Sequence, residues 1–208
     1  MSAREAMRKS LLGATLLAVA AAVGVAIVAY TFEHTAPQIR ENEREVLLAT
    51  LNEVLPANEY DNALVDDAIT VTDPEMLGTT QPVTVYRAFR GGEPVAALFT
   101  SVAPDGYSGE IRLLVGVRAD GRLSGVRVLA HKETPGLGDP IEIRRSDWIT
   151  SFDGRALGDP PLERWKVRRD GGVFDQFTGA TITPRAVVKA VRNTLIYFER
   201  HREELFAQ

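Results

Sequence analysis

The sequence contains no cysteine. This absence excludes disulfide bonds, thiolate zinc sites, iron–sulfur clusters and cysteine-attached haem. Any redox chemistry of this protein must therefore use another kind of cofactor. The histidines, His34, His131 and His201, lie far apart and lack the spacing of metal ligands, so we predict no bound metal.

The sequence also lacks an excess of positive charge. Its 28 acidic and 24 basic residues give a net charge of −4, so no nucleic-acid partner is predicted. Its 208 residues, 45% of them hydrophobic, allow one ordinary domain with a packed core and a short appendage.

The appendage is an uncharged apolar run from Leu11 to Thr31. At ~1.5 Å per residue, a helix of this run spans roughly the 30 Å of a bilayer core. We therefore predict a transmembrane helix over residues 11–31. A cleaved signal peptide is the alternative, although its apolar region is usually only about 7–15 residues long.

Basic residues fix the predicted orientation of this helix. Arg4, Arg8 and Lys9 precede the apolar run. Because positive residues tend to stay inside, residues 1–10 are predicted to be cytoplasmic. Residues 32–208 are then predicted to form an extracytoplasmic domain.

Periodicity predicts an α+β fold for that domain. Spacing of three and four predicts an amphipathic helix over Pro37–Leu55 and a final helix over residues 184–204. A short helix is predicted over Arg144–Phe152, with Trp148 in the core. Alternation and Gly-rich turns predict a mainly antiparallel sheet packed by helices. The predicted strands are Ile69–Val71, Val83–Phe89, Pro94–Thr100, Ile111–Arg118, Leu123–Ala130 and Trp165–Val167.

A Thr/Gly-rich stretch, Asp175–Pro184, precedes the final helix. Gly179 allows a tight turn, and Thr181 places a hydroxyl where free helix N–H groups attract anions. Thr183 is predicted to be the N-cap, with Pro184 in the first turn. Taken alone, these residues favour simple helix capping by Thr178, Thr181 and Thr183.

A second loop, His131–Asp139, contains Gly136-x-Gly138. This pair lacks the third glycine and the strand–turn–helix setting of a dinucleotide fingerprint. Taken alone, the loop predicts an ordinary Gly/Pro turn.

The pattern Asp-x-x-Thr-Gly-Ala-Thr at residues 175–181 resembles a known flavinylation motif. That motif belongs to the FMN-binding subunits of two bacterial respiratory complexes, Rnf and the sodium-pumping NADH:quinone reductase. The resemblance implies that Thr181 carries FMN through a phosphoester bond. It places Thr178, Gly179 and Ala180 beside the cofactor.

The Lys-Glu-Thr-Pro-Gly-Leu-Gly loop resembles the same family, in which it lies against the bound FMN. The implied contacts are Glu133, Thr134, Gly136, Leu137 and Gly138. The glycines allow close approach of the backbone to the flavin. Leu137 is suited to an apolar face of the ring, and Thr134 or backbone amides to its polar edge.

Chain length and the single anchor most resemble the G subunits of Rnf complexes. This implies an electron carrier in the bacterial inner membrane, with a periplasmic FMN domain and with membrane and iron–sulfur subunits as partners. Electrons would pass between ferredoxin and NAD, coupled to ion movement, and no residue is needed as a general acid or base. The alternatives are the C subunit of the sodium-pumping reductase, a membrane-tethered flavin sensor, and a binding module without flavin.

The attachment chemistry implies a further partner. The Thr181 hydroxyl is a poor nucleophile, and no dedicated base lies near it in sequence. The resemblance implies a separate flavin transferase that moves FMN from FAD using a metal ion. We expect Asp175 to be a recognition element for that transferase, with capping of a turn before Phe177 as the alternative.

The orientation is testable with reporters fused after Gln208. We expect alkaline phosphatase, which folds actively only outside the cytoplasm, to be active there because basic residues precede the apolar run. A cytoplasm-dependent fluorescent reporter at the same position is the control. Strong signal from that control alone would contradict the orientation.

Overall fold

The computed structural model describes residues 3–207, without the side chains of residues 3–6, 8–12 and 37. Of the predicted cytoplasmic segment, residues 1–10, the first two lie outside the described residues. The chain divides into two units, the first ending at Val46 and the second beginning at Leu47. The predicted domain start, residue 32, lies inside the first unit.

The first unit consists of most of a single helix, α1, which runs from Ala3 to Asn52. Among the described residues, the segment Gly13–Asn52 is the one long and apolar enough to cross a membrane. A signal sequence near an N-terminus meets the same criterion. The predicted helix at Pro37–Leu55 is not a separate element, because α1 continues without a break through Pro37 to its end at Asn52.

The second unit is built on one antiparallel sheet, as predicted. The sheet contains five strands in sequence order, and each strand pairs with the next one along the chain. The strands are β1 (Ala68–Val71), β2 (Val83–Arg90), β3 (Glu93–Ala103), β4 (Ile111–Arg118) and β5 (Leu123–Ala130). The α+β fold class is therefore confirmed.

Alternating side chains of the central strands cover both faces of the sheet. On β3, Ala97 and Phe99 belong to the larger core, which includes the buried side of helix α3 (Ile182–Phe206). Ala96 and Leu98 belong to the smaller core on the opposite face, with Leu51 from the end of α1. The period of two that predicted the strands thus produces three layers. A short helix, α2 (Pro74–Leu77), follows β1.

The chain between β5 and α3 is irregular, with four 3-10 turns: Asp139–Ile141, Asp147–Phe152, Leu162–Arg164 and Arg168–Asp170. The helix predicted over Arg144–Phe152 is the second of these, and Trp148 is buried as predicted, at 9% exposure.

The predicted strand Trp165–Val167 is wrong. Trp165 and Val167 are buried between exposed neighbours, which imitates a strand pattern. The segment does not join the sheet, and its backbone bonds with residues nearby in sequence. Phe174 N–H donates to the Lys166 carbonyl, and Arg168 N–H donates to the Phe174 carbonyl. A compact loop, and not a strand, therefore buries these two alternate residues.

The end of α1 should be essential to the second unit. Leu51 is fully buried, so Leu51→Ala should destabilise this unit by about 2–5 kcal/mol through lost burial and a cavity. Val46→Ala is the control, because Val46 is 67% exposed. Equal effects of the two variants on the urea unfolding midpoint would contradict this packing.

Candidate functional site

A cavity of about 340 Å³ lies where the two motifs predicted from the sequence come together. Cavities that bind small molecules typically measure roughly 300–1,000 Å³. Its walls come from the loop before β4, the loop after β5, and the turn that leads into α3. The lining residues are Tyr107, Glu133, Thr134, Leu137, Gly138, Gly179, Ala180, Thr181, Ile182 and Thr183.

The turn before α3 depends on Gly179. Ala180 N–H donates to the Phe177 carbonyl at 3.2 Å, and Gly179 has φ of 81°. A positive φ at the third residue of a turn is the geometry of a type II turn, which favours glycine. Gly179 and Ala180 thereby reach the cavity wall, whereas Thr178 is exposed and does not line the cavity.

The loop after β5 contains a second turn of the same kind. Leu137 N–H donates to the Thr134 carbonyl at 3.1 Å, and Gly136 between them has φ of 78°. Pro135 occupies the preceding position, as type II turns favour. Gly136 shapes this turn without lining the cavity, while Thr134 and Leu137 do line it.

Gly138 is required for close approach. A Cβ atom at this position would lie 2.9 Å from the Cβ of Glu133 and 3.0 Å from Oγ1 of Thr183. The first distance is shorter than side chains tolerate and the second is tighter than most contacts, so a larger residue would force this packing to shift. The two glycines of the Gly-x-Gly pair thus act for different reasons: one allows a turn, and the other allows packing.

The buried carboxylate of Glu133 joins three segments of the site. The side chain is 4% exposed, and Oε1 accepts a 3.0 Å hydrogen bond from Ser108 N–H. Oε2 accepts a short hydrogen bond from the hydroxyl of Thr183. Glu133, which the resemblance implies as a flavin contact, lines the cavity, and each of its oxygens accepts a hydrogen bond from the protein. Its clearest role in this structure is to hold the cavity walls together.

That bond also explains why the predicted N-cap is wrong. Helix α3 begins at Ile182, so Thr183 lies inside the first turn and its hydroxyl points to Glu133. Thr181 occupies the N-cap position. Within the described residues, its hydroxyl forms no capping hydrogen bond to α3. The hydroxyl therefore lies at the cavity without a structural role in the helix.

The start of α3 favours an anion. The first N–H groups of a helix lack intrahelical partners, and here they belong to Ile182 and Thr183. The first turn contains no acidic residue. Arg185, in the same turn, bonds Asp170 through two contacts of 2.5 and 2.7 Å. This hydrogen bonding lowers the pKa of the Asp170 carboxyl.

Comparisons with known proteins match nearly the whole chain. The sequence profile of the FMN-binding domain matches residues 106–196, and that of the RnfG N-terminal region matches residues 1–54. The G subunit of an ion-translocating oxidoreductase complex from Pseudomonas aeruginosa is 51% identical over 97% of this chain and 95% of its own length. The G subunits of such complexes from Vibrio cholerae and Pseudoalteromonas atlantica are 49% and 47% identical, over 93% and 92% of this chain and 92% and 89% of their own lengths.

The chain belongs to the family of G subunits of ion-translocating oxidoreductase complexes. Of the two complexes that the sequence resembles, this family is that of Rnf and not that of the sodium-pumping NADH:quinone reductase. The cavity lies inside the segment matched by the FMN-binding domain, since every lining residue falls between 107 and 183.

We did not predict Tyr107 or Ile182 as site residues from the sequence. Tyr107 is 68% exposed and Ile182 is 45% exposed, and both line the cavity. With Leu137, at 46%, they form an apolar rim. The signal for Tyr107 was an aromatic residue in a Gly-flanked loop. Its placement depended on contacts between distant segments, which the sequence did not reveal.

Asp175, the predicted recognition residue, is exposed and does not line the cavity. Its carboxylate lies 3.1 Å from Arg168, and both side chains are about two-thirds exposed, at 64% and 66%. Such a pair contributes little to stability. The backbone carbonyl of Asp175 accepts a 2.8 Å bond from Nε1 of Trp148.

Removal of the Thr183 hydroxyl should weaken the site from within. Thr183→Val keeps the side-chain shape but deprives buried Glu133 of a donor, which should cost about 1–3 kcal/mol of unfolding free energy. Thr178→Val is the matched control, because Thr178 is exposed. Denaturant unfolding of the flavin-free protein measures both. Equal midpoints would show that the Glu133–Thr183 bond is unimportant.

Proposed function

We propose that this protein is an electron-transfer flavoprotein whose FMN is bonded covalently to Thr181. The observation that carries the proposal is the position of Thr181. It is the last residue of the Asp-x-x-Thr-Gly-Ala-Thr pattern, it lines the cavity, and it begins α3 without capping it. Membership of the G-subunit family supplies the complex in which such a flavin would act.

Electrostatics at the start of α3 support a phosphate on Thr181. The free amides of Ile182 and Thr183 and the positive end of the helix dipole favour an anion. The first turn of α3 contains no acidic residue, and the nearby Asp170 carboxylate is paired with Arg185. A phosphodiester bonded to Thr181 would therefore sit where the protein already offers N–H donors.

The apolar rim supports a flavin ring in the cavity. Tyr107, Leu137 and Ile182 are large apolar side chains exposed around one opening. Such side chains favour contact with a flat aromatic surface, which would remove them from water. The Thr134 hydroxyl would supply a polar contact, since the amides of its turn already donate within the loop. Leu137 is the predicted contact that this geometry supports most directly.

FMN would supply the redox chemistry, since it can accept and release electrons. The residues around the cavity bind and orient it: Gly179 and Gly138 give access, and Glu133 fixes the walls. No residue is required to move a proton to a substrate. We therefore assign no catalytic side chain.

Attachment requires a second enzyme. Oγ1 of Thr181 would form a bond to the FMN phosphorus of FAD, the FAD pyrophosphate bond would break, and AMP would leave with the bonding electrons. The hydroxyl proton would pass to a base of the transferase, which would also supply a metal ion. Of the described residues, none that lines the cavity is both a base and free of protein contacts, because the Glu133 oxygens are already bonded.

The proposed setting is the bacterial inner membrane. The apolar part of α1 would cross the bilayer once, with its N-terminus in the cytoplasm and the FMN domain in the periplasm. The partners would be the membrane and iron–sulfur subunits of an Rnf-type complex that passes electrons between ferredoxin and NAD. A covalent bond would then prevent loss of the flavin outside the cytoplasm.

Thr181→Ala should abolish covalent flavin because no other hydroxyl combines the motif position with access to the cavity. Flavin fluorescence on a denaturing gel, after expression with a flavin transferase, is the measurement. Thr178→Ala is the control and should keep some fluorescent product. Peptide mapping that places FMN on Thr178 or Thr183 of the wild type would refute the assignment.

Asp175→Ala should strongly reduce covalent FMN because the exposed carboxylate is available to a transferase. The thermal stability of the flavin-free protein should change by less than about 1 kcal/mol, as expected for an exposed ion pair. Arg168→Ala removes the partner of the same pair and is the matched control. Full flavinylation of the Asp175 variant would exclude the recognition role, and a large loss of stability would indicate a structural one.

A further inference from the structure

Trp148 contacts the attachment motif at two points. Its indole Nε1–H donates a 2.8 Å hydrogen bond to the backbone carbonyl of Asp175. Its ring also packs edge-on against Phe177, with centroids 5.2 Å apart and an interplanar angle of 67°. The two contacts lie at the first and third residues of the motif, immediately before the turn that presents Thr178–Thr181.

Trp148 is itself held rigidly. It lies in the 3-10 turn Asp147–Phe152, and its own N–H donates to the hydroxyl of Ser146 at 3.1 Å. Its ring meets Phe152 at 5.4 Å, and Phe152 stacks on Phe174 at 4.6 Å. Phe152 and Phe174 are almost completely buried. The indole therefore fixes the position of the motif relative to the buried core.

The other contacts that hold the motif from outside lie at exposed positions: Asp175 pairs with Arg168, and the Gln176 side chain accepts a 3.3 Å bond from Arg169 N–H. Asp175, Gln176, Thr178 and Gly179 are exposed, while Phe177 is half-buried. Its internal backbone bond closes only the turn from Phe177 to Ala180. A segment with few buried contacts samples many conformations unless something orders it. Trp148 provides a directional bond at one end and a ring contact in the middle.

We propose that Trp148 is a positioning residue that holds the motif in the conformation on which the flavin transferase acts. This inference rests on the proposed attachment of FMN to Thr181. A transferase must place the Thr181 hydroxyl against the phosphorus of FAD, so a preformed turn lowers the ordering cost of that encounter. Loss of the indole N–H should therefore slow attachment without removing the acceptor hydroxyl.

Trp165 provides a matched control. It is also buried, at 1% exposure, and its Nε1–H also donates to a backbone carbonyl, that of Pro160, at 3.1 Å. It packs against Phe152, as Trp148 does, and also against Phe174. Its bond does not reach the motif. A purely structural role of the indole N–H predicts similar effects at the two tryptophans.

The experiment is flavinylation of the purified full-length protein by a bacterial flavin transferase with FAD and a magnesium salt. Initial rates are measured by denaturing-gel fluorescence at several protein concentrations, for wild type, Trp148→Phe and Trp165→Phe. Because one net hydrogen bond of ordinary strength is lost, we expect kcat/KM to fall about fivefold for Trp148→Phe. Trp165→Phe should stay within about twofold of wild type when rates are corrected for the folded fraction.

A second variant tests the same hydrogen bond in case Trp148→Phe does not fold. Benzothienylalanine at position 148 keeps the shape of the bicyclic ring and replaces the N–H by sulfur, so only the donor is lost. Backbone amide exchange of residues 175–180 should accelerate in this variant but not in Trp165→Phe. Equal rates and equal exchange for the two positions would overturn the proposal. Absence of label on the wild type would instead refute covalent attachment itself.

Discussion

The site depends on one buried carboxylate. Glu133 accepts hydrogen bonds from Ser108 N–H and from the Thr183 hydroxyl, and so joins the loop before β4, the loop after β5 and the start of α3. A buried carboxylate is costly unless its oxygens are satisfied. The three segments therefore satisfy Glu133 only when they come together, and the cavity exists only in that arrangement. Gly138 and Gly106 leave the space that this close packing requires.

The same arrangement separates a structural threonine, Thr183, from Thr181, the residue proposed to carry FMN. Thr183 is committed to Glu133 inside the helix, whereas Thr181 begins the helix and faces the cavity. The helix start then combines free amides, a hydroxyl and an apolar rim within one opening. A phosphate favours polar N–H donors, whereas a flavin ring favours apolar side chains, and the cavity offers both. This division is the physical basis for assigning FMN to Thr181.

The sequence predicted what depends on local pattern. Alternation gave the strands β1 to β5, and periodicity gave α3, within a few residues. The two motifs predicted a common site because a family resemblance linked them. The false strand at Trp165–Val167 shows the limit of local pattern, since a compact loop can bury alternate residues as a sheet does. The Thr183–Glu133 bond and the place of Tyr107 join residues far apart in sequence, which no local pattern encodes.

The most direct test of the account is tandem mass spectrometry of the full chain purified from bacterial membranes under denaturing conditions. The account predicts one added FMN, less one water, on the peptide that contains Thr181, with fragment ions that place it on that residue. An unmodified chain, or FMN on Thr178 or Thr183, would contradict it.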